Sequence, residues 1–455
     1  MSKPDIQKIE FPVFGIDWHV SYDNTTIISY CGGGGSARSG IGNSIIITHF
    51  TPDSQPYMRL TIDTEEQICV SVAIGASYLG HKVDPKYPPE IIVVAAVGSE
   101  IRIYSAFTGR LLSKLYSLEA GKDGVSCVTL SDDGNLILCG CEDGPLVSYR
   151  LKGLTQPQPS PSESEAEDKD NEKKDELYAV TELVKVAVMT GHTKAICSVS
   201  FRPNEAARAI SSAKDGTCRE WDVRTGKMLA LMECSVPPPV PPPKINVPQK
   251  ILVRKCSYSP CGDYIYTVAS GRRGKAFIGK WQRVSTQQMH QNPAKKLPPF
   301  IPWDNYCVSE CPVSAMSLDK DGKIIVIGNV EGEIKFVGAE EGHLVRKYSV
   351  HDLPVTSIAA RPTSLENSFL RNSKKLIVDA ISVSADNKMA YITVQTKKIT
   401  LFGMVKRLFN LLLISFIIYY CGKECEVEIK DGNWESIKNC LAGPPPSFLI
   451  DSPLH

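Results

Sequence analysis

Short apolar strands separated by turn residues, with almost no helical periodicity, run through most of this 455-residue chain and predict an all-β fold. A longer period lies over them. Each unit holds an apolar strand, an Asp-Gly or Asp-Asn turn, a second apolar strand and a Gly-containing step to a third. That period predicts the blades of a β-propeller. Two less regular units, about 11–50 and 66–115, precede five clearer ones, which gives seven blades.

The clearer units start with Val125–Ser131, the Asp133-Gly134 turn, Leu136–Cys139 and Asp143-Gly144. The next holds Gly191-His192, Ala195–Phe201, Asp215-Gly216 and Trp221-Asp222. Its Gly-His…Trp-Asp pairing is the WD-repeat signature, in which His, the turn Asp and strand hydroxyls tie a blade together and Trp caps its core. Degenerate copies follow at Lys255–Trp281, Val313–Gly332 and His351–Asn387. A ring closes when its first and last strands share a blade, so residues near Phe11–Trp18 are expected to meet those near Ala390–Gln395.

Three stretches interrupt the period. Residues 156–176 are rich in Pro, Ser, Glu, Asp and Lys and read as a disordered insertion. Val236–Pro243 favours polyproline conformation, as a stiff connector or a docking motif. Residues 287–303 form another polar connector.

Charge is nearly balanced, with 51 Lys and Arg against 50 Asp and Glu, which removes the electrostatic case for nucleic acid. The fifteen cysteines sit mostly one to a strand and read as buried, reduced thiols; Cys307 and Cys311 lack a second pair at zinc spacing. No nucleophile motif or metal cluster is apparent. With Met1–Gln7 polar and no apolar segment after it, residues 1–395 are expected to lie in the cytosol.

Beyond Lys398 the pattern changes. Leu408–Cys421 is almost wholly apolar, but its fourteen residues rise only about 21 Å as helix, short of a hydrocarbon core of roughly 30 Å. Residues 399–421 span far enough if Lys406 and Arg407 snorkel. The competing reading is a buried C-terminal helix. A finished propeller needs no such helix, and Tyr419-Tyr420 suits an interfacial belt, so a single transmembrane anchor is expected. Lys397, Lys398, Lys406 and Arg407 on the leading side put the propeller in the cytosol and the tail, 422–455, across the membrane.

The most unusual local sequence is Cys31–Asn43, with Gly32, Gly33, Gly34, Gly35, Gly40 and Gly42. Four consecutive glycines each cost roughly 0.5–1 kcal/mol against alanine inside a regular element. They make sense as a flexible hairpin connection, or as a shaped loop that binds an ion or partner and presents Ile41 and Asn43.

A cytosolic propeller, one C-terminal anchor and this loop in the first blade occur together. In that combination the chain resembles the endoplasmic-reticulum exchange factors that activate the Sar-type small GTPase of coat protein complex II, the family of prolactin regulatory element-binding protein. The resemblance rests on Phe11-Pro12-Val13-Phe14, on Gly32–Gly35 followed by Gly40-Ile41-Gly42-Asn43, and more weakly on Asp63-Thr64-Glu65. It implies guanine-nucleotide exchange with no bond made or broken. Asn43 and Ile41 would act on the nucleotide site. Gly32, Gly33, Gly34, Gly35, Arg38, Gly40 and Gly42 would form the GTPase-contacting loop. Carbonyls of Gly34, Gly35 and Gly40 would hold a potassium ion. Gly42 is a departure that loosens the loop.

Magnitudes bound this reading. A picomolar nucleotide is held by about 16 kcal/mol, whereas one Asn contributes about 1–3 kcal/mol through hydrogen bonds. The remainder needs a standard interface of roughly 1,600 Å². Replacing Asn43 by Ala is accordingly expected to slow exchange more than it weakens binding, without touching the fold. The alternative is a membrane-bound WD-repeat scaffold without exchange activity.

Overall fold

The continuous apolar runs become the second strands of seven four-stranded antiparallel sheets. A computed structural model describes residues 3–21, 25–35, 40–51, 55–79, 89–116, 124–153, 181–237, 250–271, 274–284, 298–360, 376–395 and Ser415. The expected insertion (156–176), anchor (399–421) and tail (422–455) lie outside the described residues, Ser415 apart. Among the described residues no helix is long and apolar enough to cross a membrane.

Blade 1 runs Val13–Val20, Thr26–Gly32, Ser44–Phe50 and Pro56–Asp63; blade 2 runs Cys69–Ser77, Glu90–Val97, Glu100–Ser105 and Leu111–Tyr116. Blade 3 holds Val125–Leu130, Leu136–Cys141, Leu146–Gly153 and Thr181–Met189. Blade 4 holds Ile196–Arg202, Glu205–Ala213, Thr217–Asp222 and Met228–Glu233. Blade 5 comprises Ile251–Tyr258, Tyr264–Gly271, Ala276–Arg283 and Phe300–Ser309. Blade 6 comprises Val313–Leu318, Ile324–Asn329, Glu333–Gly338 and Leu344–Ser349. Blade 7 takes Val355–Ala360, Leu376–Ser384 and Lys388–Gln395. The first strand of every blade packs against the first strands on both sides, so the ring is closed.

Alternation explains the apolar runs. Ile324 and Val326 enter the core shared with blade 7, while Ile325 and Ile327 enter the core shared with blade 5. In blade 1, Ile45 and Ile47 face blade 2 and Ile46 faces blade 7. A strand buried on both faces has no polar side to show. The outermost strands alternate instead, as Pro56–Asp63 does.

Closure corrects one expectation. The fourth strand of blade 7 is Asp5–Lys8, paired antiparallel with Lys388–Tyr391, and not the Phe11–Trp18 region. Phe11–Trp18 does meet blade 7, but across a packed seam between sheets. There the Thr356 hydroxyl donates to the Val13 carbonyl at 2.6 Å and Trp18 Nε1 donates to the Ala360 carbonyl at 2.7 Å. Asp5–Lys8 was not legible because all four residues are exposed and carry no apolar alternation.

The Gly-His…Trp-Asp unit ties blade 4 as its chemistry requires. His192 Nδ1 meets Asp215 Oδ2 at 2.8 Å, His192 Nε2 meets Ser211 Oγ at 2.8 Å, and Trp221 Nε1 donates to the same Ser211 Oγ at 2.8 Å. Blade 7 repeats it with His351, Asp386 and Ser382, but Ile392 stands buried at the Trp offset. In blade 5 the Cys234 thiol meets Thr267 Oγ1 in place of the His, and Trp281 Nε1 donates to that hydroxyl at 3.0 Å.

Asp215 gives the tie a pH dependence. Burial raises its carboxyl, but hydrogen bonds from His192 and Thr217 outweigh that and hold it well below its ordinary 3.8. The folded value is the lower one, so the stabilisation is present above about pH 4 and lost as pH falls towards the folded value. Asp215→Ala is expected to cost about 1–3 kcal/mol at pH 7. In denaturant titrations, the gap between this variant and the unmodified chain should narrow as pH drops below 4; a constant gap would contradict it.

Candidate functional site

In six blades the turn between the second and third strands is short. In blade 1 that position carries the glycine-rich stretch, bounded by Thr26–Gly32 and Ser44–Phe50. Gly32, Gly33, Gly34, Gly35, Gly40, Ile41, Gly42 and Asn43 are described; Arg38 lies outside the described residues.

The glycines are not interchangeable. A Cβ on Gly32 would stand 1.9 Å from the Pro12 carbonyl oxygen. Gly33 has φ +141°, and a Cβ there would stand 2.3 Å from Asn43 Oδ1. Both therefore serve close approach at the base of the loop. Gly42 meets nothing within 4 Å.

Asn43 does not point outwards. It is 2% exposed, and its amide is fully engaged. Oδ1 accepts from Gly35 N at 2.9 Å; Nδ2 donates to the Gly35 carbonyl at 3.2 Å and to the Glu65 carbonyl at 2.9 Å. The Asn43 carbonyl accepts from Thr64 N at 3.0 Å, and the Pro12 carbonyl accepts from Gly33 N at 3.0 Å. Glu65 sits at φ 61°, capped by Asp63 Oδ1 on its amide at 2.8 Å. Thus Pro12, Gly33, Gly35, Asn43, Thr64 and Glu65, from three stretches separate in sequence, meet at one point, with Asn43 as the brace between two connections.

What the loop presents is Ile41, 38% exposed, with exposed Gly40 and Gly42 beside it. An amide already holding three partners shapes the loop. A half-exposed isoleucine offers apolar surface to a partner. The Gly35 carbonyl, one of three expected potassium ligands, is shared with Asn43 Nδ2 and has one lone pair left for a cation. Among the described residues there is no group of three His, Cys, Asp or Glu side chains placed to hold a metal. His192 and His351 are buried in blade ties, and the described cysteines are free thiols, mostly buried.

The brace was not legible in the sequence, because nothing local separates a buried Asn from an exposed one. Asp63-Thr64-Glu65 stood out only through the resemblance, with no sign that it met Asn43.

The expectation that Asn43→Ala leaves the fold untouched changes with this geometry. Asn43→Ala is expected to cost about 1–3 kcal/mol through the lost buried hydrogen bonds. Gly33→Ala should cost a similar about 1–3 kcal/mol through backbone strain and the Asn43 clash, whereas Gly42→Ala should be close to neutral. Chemical denaturation of the three variants checks the order; equal stabilities for Gly33→Ala and Gly42→Ala would contradict a shaped loop.

Comparison with known proteins bears on the fold. The WD40 family, described as "WD domain, G-beta repeat", matches residues 112–144 and 183–222, and the "Anaphase-promoting complex subunit 4 WD40 domain" matches residues 279–360. The two WD40 matches straddle blades, each starting in the outer strand of one blade and ending in or just after an inner strand of the next. The chain is also similar to eukaryotic translation initiation factor 3 subunit I of Danio rerio, 23% identical over 175 residues, 38% of this chain and 46% of that protein. The Xenopus laevis protein of the same name is 24% identical over 176 residues, with the same coverage. The chain therefore spans under half the length of these relatives. Together with the seven sheets and the blade ties, these matches identify the chain as a seven-bladed β-propeller carrying WD40 repeats.

Proposed function

We propose that this propeller is a guanine-nucleotide exchange factor for a Sar-type small GTPase, acting at the endoplasmic-reticulum membrane to start coat protein complex II budding towards the Golgi. The observation that carries the reading is the braced loop: Asn43 fixes its base through Gly35 and Glu65, and Ile41 stands exposed on it. A rigid apolar projection can compete for a GTPase's nucleotide site without losing binding energy to loop ordering. In this reading Ile41 is the contacting residue and Asn43 positions it. Arg38 and the glycines complete the contact loop. Residues 399–421 anchor the propeller on the cytosolic face, and no nucleic acid is involved. Carbonyls of Gly34, Gly35 and Gly40 would hold potassium, which would stiffen the loop. The protein is a regulator, with no covalent step of its own.

A second reading, a WD-repeat scaffold without exchange activity, is favoured by the likeness to a translation initiation factor subunit. Release of a fluorescent GDP analogue from a Sar-type GTPase separates the two. Exchange should accelerate with residues 1–395, fall about tenfold or more with Ile41→Ala at unchanged stability, and fall with Asn43→Ala together with stability. Replacing potassium by choline should slow it. Binding without acceleration would leave the scaffold.

A further inference from the structure

The turn between the second and third strands of a blade touches the connection entering the next blade. Gly144 lies against the His192 carbonyl, Gly216 against that of Ile251, Gly332 against that of His351, and Asn43 bonds the Glu65 carbonyl. These turns and connections share one face of the ring, the face that presents Ile41.

On that face, where blades 3, 4 and 5 adjoin, lies an open cleft of about 540 Å³. Its lining includes Lys194, Lys214, Lys250 and Arg254, with Glu142 and Asp143. The four cations come from three segments, Lys194 before the first strand of blade 4, Lys214 after its second, and Lys250 with Arg254 at the start of blade 5, which the ring brings together. Among the described residues none of the four forms an ion pair, and Arg254 Nε is buried without a hydrogen-bond partner. A buried guanidinium N–H left unpaired is costly, and it marks a place for an acceptor. The field is felt nearby: burial raises the Cys197 thiol, while Arg254, Lys214 and Lys255 each pull against that rise.

We propose that this cleft binds an extended acidic peptide segment of a protein partner. The volume suits a few side chains of a chain laid across it. Lys194, Lys214, Lys250 and Arg254 would take carboxylates. Glu142 and Asp143 would accept the peptide's own N–H groups, whereas they would repel a compact polyphosphate. Ala195 and buried Leu252, also in the lining, offer apolar contact to aliphatic stems. A flat anionic membrane could not reach the recessed Arg254.

The test uses the full chain in detergent micelles and a fluorescein-labelled peptide of repeated Glu-Asp-Leu, read by anisotropy. Lys194→Glu/Lys214→Glu, both exposed positions, should weaken binding about tenfold or more. Arg254→Gln should weaken it in the same direction. Lys227→Glu, in the turn between the third and fourth strands of blade 4 on the other face, should leave it unchanged. An equal loss with Lys227→Glu, no peptide binding, or tight binding of inositol hexakisphosphate in place of the peptide would overturn the proposal. The readout does not involve nucleotide exchange: peptide binding with no exchange would sink only the exchange reading, and the reverse only this one.

Discussion

Every blade has to be apolar on both of its faces. In a ring of sheets packed face to face, one sheet serves two cores, and each middle strand sends alternate side chains to opposite neighbours. Ile325 and Ile327 serve one core while Ile324 and Val326 serve the next. Seven clusters result, one for each seam. Polar groups inside blade 4 are held by a tie, in which His192, Ser211, Asp215 and Trp221 satisfy one another. This constraint leaves the exposed turns as the positions free to vary, and blade 1 uses its turn for the glycine loop.

The same constraint decides what could be read from residues alone. Blade number was legible, because a doubly buried strand writes an unbroken apolar run such as Ile324–Ile327, and Asp-Gly turns punctuate the runs. Where the Trp is missing, as at Ile392, the His, Ser and Asp still mark the blade. The closing strand was hidden, since Asp5–Lys8 lies on the outside and needs only backbone pairing. The glycine loop was legible as an oddity. Its brace was not, because Asn43 reaches Glu65 through a return of the chain that no local pattern announces. The cationic cleft was equally hidden, its members drawn from three segments well apart in sequence and joined by curvature.

The loop and the cleft differ in how they are built. The loop is held from within: backbone groups of Gly35 and Glu65 fix an amide, and Ile41 stands exposed beside it. The cleft is held by the blades themselves, since Lys214 follows the second strand of blade 4 and Arg254 lies in the first strand of blade 5. One face of a single rigid ring can therefore carry two surfaces of different chemistry without either being deformed by the other.

The strand that shuts the ring also sets a schedule. Asp5–Lys8 is synthesised before every other described strand, yet its partner, Lys388–Tyr391, is made hundreds of residues later. At about 5–20 residues per second, the opening strand waits roughly 20–80 s for its place. Its composition suits that delay, because a short, exposed strand with Ile6 as its one apolar side chain and Asp5 and Lys8 at its ends offers little for premature pairing or aggregation while the other blades stack. The ring becomes whole only as the apolar segment after residue 395 is being made.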